Sequence, residues 1–325
     1  MSRADEEFIR ISKDIIETGT SSERQTIRAK WLDGTPAHTK AKFCVVSRFN
    51  LAEEFPVVTL RKTPIKSAVD ELLWIWQKKS NNVNDLGSHI WDSWADENGS
   101  IGKAYGYQLG RTAAYPEVTE EGLMKTFPDG RFADSQIIAG RREFRSGDED
   151  RLVAEKIDGV WNMDQVDKVI YDLKVNSFSR RIMTTIWNPE DLHEMHLQPC
   201  AWNVNFMVEQ RPGHEKLTLN MILNQRSQDM LAAFAWNTAQ YAVLQHMMAQ
   251  VAGMEVGEMV HVNTNCHLYD RHIPIVEELI QREPKPAPLF WLNPEVKDFY
   301  DFTPDDVKLD GYEVAGPQVK FEVAV

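Results

Sequence analysis

Cys200, in Leu197-Gln198-Pro199-Cys200, is the residue with the most chemistry to offer. A cysteine just after a proline, at the start of a strand pattern, is either a buried structural thiol or a nucleophile. The second role needs a thiolate, and a thiolate needs nearby cations. Three arginines flank strand patterns: Arg180 and Arg181 after Ser179, and Arg226 before Ser227. Each is either a solvated charge or part of an anion site. Neighbours on a strand point to opposite faces, so Arg180 and Arg181 reach one phosphate only from a loop or across a subunit interface. Arg226-Ser227-x-Asp229 joins an arginine and a hydroxyl, which suit a phosphate, to a carboxylate, which suits an amide-like heterocycle. Glu71 lies in a helical pattern beside Leu72-Leu73, at the edge of the apolar face or paired. Trp74, Trp76, Trp91 and Trp94 read most simply as core, and His267-x-Tyr269 puts two polar rings on one strand face.

Periodicity supplies the elements that must position these groups. Residues 5–18 form an amphipathic helix pattern with Phe8, Ile9, Ile11, Ile15 and Ile16 apolar. Residues 42–49 and 55–60 read as short strands. Pro64 opens a helix over 64–79. Strands are expected at 182–187, 201–208 and 217–223, the last two joined by Arg211-Pro212-Gly213 as a hairpin. A long apolar helix is expected over 228–252, ended by Gly253. A strand at 259–269, a helix at 275–281 and a strand at 289–292 complete the pattern. Residues 111–160 are rich in charge and glycine and read as a surface insertion or small subdomain. The fold class is α+β, with helices packed on a largely non-parallel sheet.

The chain has 325 residues, enough for one large domain or two ordinary ones. Hydrophobic residues are 42% and charged residues 26%, a globular balance. The net charge of −13 argues against non-specific nucleic-acid or membrane binding. Cys44, Cys200 and Cys266 show no paired metal spacing, and the N-terminus lacks an apolar signal core. A reduced, cytoplasmic protein is the expectation.

No one of these signals is specific, but their order is. Asp70-Glu71-Leu72-Leu73-Trp74, His89-Ile90-Trp91-Asp92-x-Trp94 and Tyr105-Gly106 come first. Ser179-Arg180-Arg181, Trp187-Asn188-Pro189-Glu190 and Leu197-x-Pro199-Cys200 follow. Gln225-Arg226-Ser227-x-Asp229, Trp236-Asn237, His267-Leu268-Tyr269 and the terminal Val323-Ala324-Val325 close the series. Over most of its length the chain resembles the thymidylate synthase family. The resemblance implies a single α+β domain over residues 1–325, interrupted by the variable segment 111–160, and a homodimer packed sheet against sheet. It implies reductive methylation of dUMP to dTMP, with 5,10-methylenetetrahydrofolate giving both carbon and hydride and no metal involved.

The resemblance also implies roles. Cys200 is the nucleophile that adds to uracil C6. Arg226 and Ser227 hold the phosphate, with Arg180 and Arg181 contributed by the partner subunit. Asn237 pairs with the uracil edge, and its amide suits uracil where an aspartate would suit cytosine. His267 and Tyr269 bond the deoxyribose 3′-hydroxyl. Glu71 organises proton transfer, and Tyr105 serves removal of the C5 proton. Asp229 contacts the pterin, Trp91 lines the folate site, and Val325 closes over it. A fourth phosphate cation is missing from its usual place, with Arg28 and Lys30 as candidates.

The chain departs from the family pattern at four places. Ala201 stands where histidine is frequent, and Asn205 where glutamine is usual. Leu231-Ala232-Ala233-Phe234-Ala235-Trp236 replaces a Gly- and Pro-containing approach to Asn237. Thr264-Asn265 replaces Gly-Asp before His-x-Tyr. The rival on the same fold is a dUMP hydroxymethylase, in which water replaces hydride; a non-catalytic RNA-regulating protein is the rival of another class.

Overall fold

The computed structural model describes residues 1–134 and 152–324. Helix α1 (Arg3–Thr18) starts at a capping box, in which the Ser2 hydroxyl accepts the Asp5 N–H and the Asp5 carboxylate accepts the Ser2 N–H. Strands β1 (Thr20–Ser21) and β2 (Thr39–Asn50) follow, then α2 (Ile65–Trp76). The next elements are α3 (Gly106–Gly110), β3 (Thr112–Tyr115), α4 (Glu120–Thr126) and β4 (Phe132–Asp134). Then come β5 (Ala154–Ile157), β6 (Val160–Asp164), α5 (Gln165–Val175), β7 (Met183–Thr185), β8 (Ala201–Glu209) and β9 (Thr218–Asp229). The chain continues through α6 (Ala235–Ala252), β10 (Glu255–Tyr269), α7 (Ile273–Leu279), β11 (Leu289–Leu292) and β12 (Val307–Asp310).

The principal layer is a six-stranded sheet in the order β1-β2-β10-β9-β8-β7. Its ladders are antiparallel except for β9 and β10, which run parallel. The expected hairpin is the β8/β9 pair. Helix α6 is apolar on every side and buried, and it crosses α2 over the inner face of the sheet. The result is an α+β fold with one continuous hydrophobic core.

Three expectations are corrected. Residues 55–60 are not a strand, although Phe55, Val57, Val58 and Leu60 are buried. Their polar groups turn to α1: the Thr59 N–H and hydroxyl donate to the Asp5 carboxylate at 2.7 Å each, and the Leu60 N–H at 3.3 Å. Helix α2 ends at Trp76 and does not reach Lys79, whose φ is +52°. The long helix does not begin at Gln228. Strand β9 runs on to Asp229, a π-helical turn (Met230–Phe234) intervenes, and α6 starts at Ala235. The cause is Asp229, whose carboxylate accepts the N–H groups of Leu231 and Ala232 and so ends the strand as a cap.

The expected insertion, 111–160, supplies β3, β4 and β5 of the four-stranded sheet β3-β6-β5-β4, and β6 (Val160–Asp164), which begins at its last residue, completes it. Leu123, Phe127, Val153, Ala154, Trp161 and Met163 from this region are buried in the common core. Residues 135–151 of that stretch lie outside the described residues.

One irregularity of the large sheet matters for everything near Cys200. In β9 the inward residues are Leu219, Met221, Leu223 and Gln225, and then Gln228. In β10 they are Met259, His261 and Asn263, and then Cys266 and Leu268. The alternation slips by one residue in both strands at the same level, where Asn263 faces Gln225 and Asn265 faces Ser227. Cys44 of β2 has φ +51° beside this row, and the β8/β9 register shifts there between Ala201 and Asn203.

Asp5 is fully buried and ties α1 to residues 59 and 60. Asp5→Ala leaves several buried donors without an acceptor, so it should lower unfolding free energy by about 3 kcal/mol. Urea denaturation followed by circular dichroism measures this, and an unchanged midpoint contradicts it.

Candidate active site

The slip in β9 and β10 gathers polar residues at one level of the sheet. Arg226 sits in the slip itself. Its backbone N–H donates to the Cys200 carbonyl at 2.9 Å. Its side chain donates from Nε to the Pro199 carbonyl at 2.9 Å and from Nη2 to the Gln198 carbonyl at 2.8 Å. The guanidinium also lies over the Trp187 ring, 5.6 Å from its centroid. Arg226 therefore shapes the loop that carries Cys200.

Burial pushes the Cys200 thiol upward, and the positive charges of Arg226 and Arg28 oppose that push. Arg28, exposed in the loop between β1 and β2, is thereby the better of the two candidates for an additional cation. The Cys200 N–H donates to the Tyr105 hydroxyl at 3.3 Å. Burial, and then the nearby Cys200 sulfur, hold the Tyr105 phenol well above its ordinary range. Both groups thus hold their protons more tightly than the free side chains do.

Glu71 of α2 is the most enclosed carboxylate of the site, 6% exposed. One oxygen accepts the Trp91 indole N–H at 2.5 Å. The other accepts the Trp236 indole N–H at 2.5 Å and the Gln240 amide at 2.6 Å. Burial raises the acid above the usual carboxylate range, although these three donors pull it down. Trp91 packs edge-on against Tyr105 with ring centroids 4.8 Å apart, so the Glu71 cluster and the Cys200 cluster touch.

Asn237 stands in the first turn of α6, and its carbonyl oxygen accepts the Gln225 amide at 3.3 Å. Gln225 in turn meets His261 at 2.8 Å. On the facing strands Ser227 is in register with Asn265, and Asp229 with His267. The Asn265 side-chain oxygen lies 2.9 Å from His267 Nδ1, which makes Nδ1 the protonated nitrogen and leaves Nε2 as an acceptor. Burial keeps the His267 imidazole below its ordinary value. Tyr269 packs edge-on to His267, and burial followed by the Asp229 charge pushes its phenol up to about 12. Asp229 is held below the usual range because His272 and His267 outweigh its burial.

Arg180 and Arg181 are not part of this cluster. They lie exposed in the turn between α5 and β7, and among the described residues neither bonds to Cys200, Arg226 or Ser227. Val325 lies outside the described residues. The tail before it folds back: the Glu322 carbonyl lies 2.8 Å from His272 Nε2, and the Phe321 ring lies 5.5 Å from the Arg61 guanidinium.

Sequence reasoning overlooked Gln240 and His272, and it placed Gln225 and Trp236 in the ordered series without giving either a partner. Trp236 and Gln240 are spaced i, i+4, which places them on one face of α6 toward a single acceptor. That spacing was the available signal. Nothing in the sequence marked His272.

No described helix is long and apolar enough to cross a membrane. The sheet carries an uncovered apolar face: Phe43, Val46, Met183, Met207 and Ile222 are exposed on its outer side.

Arg28→Ala removes one of the two charges that favour the thiolate without touching the loop bonds of Arg226. The alkylation of Cys200 by iodoacetamide should then shift to higher pH. An unshifted pH profile, with the alkylated peptide identified by mass, contradicts this electrostatic account.

Comparison with known proteins agrees with the geometry. The family model described as thymidylate synthase matches residues 6–325. Thymidylate synthase 1 of Bacillus subtilis strain 168 is 42% identical over 329 residues, covering all of both chains. The thymidylate synthase of Bacillus phage phi3T is 41% identical over the same full length. The solved structure of thermostable thymidylate synthase A from Bacillus subtilis superposes with a TM-score of 0.78 at 40% identity, over 99% of each chain. The chain belongs to the thymidylate synthase family.

Proposed function

We propose that this thymidylate synthase converts dUMP to dTMP through a covalent bond between Cys200 and uracil C6, with 5,10-methylenetetrahydrofolate as donor of carbon and hydride. The observation that carries the reading is the setting of Cys200, a near-buried thiol under two arginines with the Tyr105 hydroxyl on its own backbone N–H. The thiol gives its proton to solvent, the sulfur adds to C6, and the displaced C5–C6 π electrons make C5 nucleophilic. C5 attacks the methylene carbon supplied by the folate. Solvent water at the Tyr105 hydroxyl takes the C5 proton, the tetrahydrofolate nitrogen departs from the methylene, and hydride from the folate reduces the exocyclic carbon. Expulsion of the thiolate then yields dTMP and dihydrofolate.

The other assignments follow the chemistry of the groups. Arg226, Ser227 and Arg28 supply charge and a hydroxyl for the phosphate. Asn237, steadied by Gln225, offers an amide to the uracil edge. His267 Nε2 and the Tyr269 hydroxyl suit the deoxyribose 3′-hydroxyl. Glu71, with its raised affinity for a proton, organises proton transfer at the base. Trp91 and Asp229 would face the folate, with Val325 closing the site against water.

The outer face with Phe43, Val46, Met183, Met207 and Ile222 suits a second copy packed sheet to sheet. Arg180 and Arg181 are separated from Met183 of that face by one residue, the buried Ile182, so they would reach the partner's phosphate site. The three free cysteines fit a reducing, cytoplasmic setting.

The test is to incubate the protein with dUMP and methylenetetrahydrofolate and weigh the nucleotide while following dihydrofolate by absorbance. dTMP with dihydrofolate is expected. Hydroxymethyl-dUMP with tetrahydrofolate would replace this reading with the hydroxymethylase. For the shared site, inactive Cys200→Ala and Arg180→Ala subunits should regain activity on mixing, and no recovery after verified exchange counts against it.

A further inference from the structure

Behind the site lies a second polar cluster that none of the roles above uses. Lys79, just after α2, is buried, with its side chain 1% exposed. Its ammonium donates to Asp164 at 2.5 Å, to Asp167 at 3.4 Å and to the Tyr300 hydroxyl at 2.6 Å. The Tyr300 hydroxyl donates in turn to Asp167 at 2.5 Å. Both carboxylates are fully enclosed, and Asp164 also caps α5 through the N–H groups of Val166 and Asp167. A buried charge held by several partners fixes its backbone firmly, and Lys79 is fixed with φ +52°, a conformation uncommon for a side-chain-bearing residue.

That backbone is a platform. The Asn81 carbonyl accepts the Ile101 N–H at 2.9 Å, and the Asn81 amide donates to the Gly102 carbonyl at 2.7 Å. Gly106 packs so closely that an added Cβ would lie 2.3 Å from the Ser80 carbonyl oxygen and 2.7 Å from the Lys79 carbonyl carbon. The residue before Gly106 is Tyr105, at φ +48° and ψ −108°, outside the left-handed helical well. Such a backbone persists only where its surroundings over-determine it. Lys79, Ser80 and Gly106 supply that constraint on one side, and the Trp91 ring supplies it on the other.

We infer that Lys79 is a positioning residue: its buried bonds to Asp164, Asp167 and Tyr300 hold the platform on which Gly106 rests and so place the Tyr105 hydroxyl beside Cys200. The inference rests on the proposed part of Tyr105 in removing the C5 proton.

The test uses the full enzyme, dUMP labelled with tritium at C5, and the variants Lys79→Met, Gly106→Ala and Tyr300→Phe. Lys79→Met and Gly106→Ala should each lower kcat by about tenfold or more, since small misplacements cost that much in catalysis. KM for dUMP should stay within about twofold, because the phosphate and base contacts are untouched. The tritium isotope effect on label release should rise as proton removal becomes slower. A variant that is merely less stable would lose melting temperature and leave the isotope effect unchanged. Should Lys79→Met not fold, Tyr300→Phe removes a single hydroxyl and should still show the larger isotope effect. Parental kcat and isotope effect in the folded variants would overturn the inference. Tyr105→Phe separates the two layers: if it too leaves the isotope effect unchanged, the role of Tyr105 itself is wrong.

Discussion

Burial and ionisation oppose each other at Cys200, and most of the surrounding structure bears on that opposition. The enclosed pocket raises the thiol's hold on its proton, while Arg226 and Arg28 lower it. Arg226 can do this only because the alternation of β9 slips at its own position. Without the slip, a strand residue between inward Gln225 and the next inward position would point away from the loop of Pro199 and Cys200. The parallel β10 slips at the same level, so the ladder between the two strands survives the irregularity. The distortion of the sheet is thus what brings a cation, a hydroxyl and a thiol to one place.

The second constraint is the Glu71 carboxylate. It joins α2, the loop of Trp91 and the first turns of α6 through three N–H donors. Those donors leave it more protonated than a surface acid but less than a bare buried one. A buried carboxyl held in place by three donors, with its affinity for a proton raised, suits a relay. The same bonds fix the angle between α2 and α6, so the core and the chemistry share one anchor.

Where one physical rule decided an element, the sequence alone sufficed. The β8/β9 hairpin was legible because Trp202, Val204, Phe206 and Val208 alternate against Leu219, Met221 and Leu223. Gly253 ended α6 as expected, with φ +70°. Residues 55–60 had strand-like composition, yet a buried carboxylate distant in sequence, Asp5, took their donors. The helix expected from Gln228 was delayed because Asp229 caps the π turn, a choice that local propensity does not register. Cys200, Glu71 and Arg226 drew attention as reactive types, and their order along the chain gave them meaning. Arg28 could be named only as a candidate, because its distance from Cys200 depends on a loop. Lys79 looked like an ordinary helix-end lysine, and its burial is visible only once α5 and residues 299–301 fold against it.

The covalent bond between Cys200 and the pyrimidine is the step on which the other roles depend. Quenching the enzyme with acid while it turns over dUMP and methylenetetrahydrofolate, then digesting and weighing the peptides, tests it directly. A nucleotide-bearing adduct is expected on the peptide containing Cys200 and none on those containing Cys44 or Cys266. Turnover with an adduct on another residue, or undiminished turnover in Cys200→Ala, would contradict it.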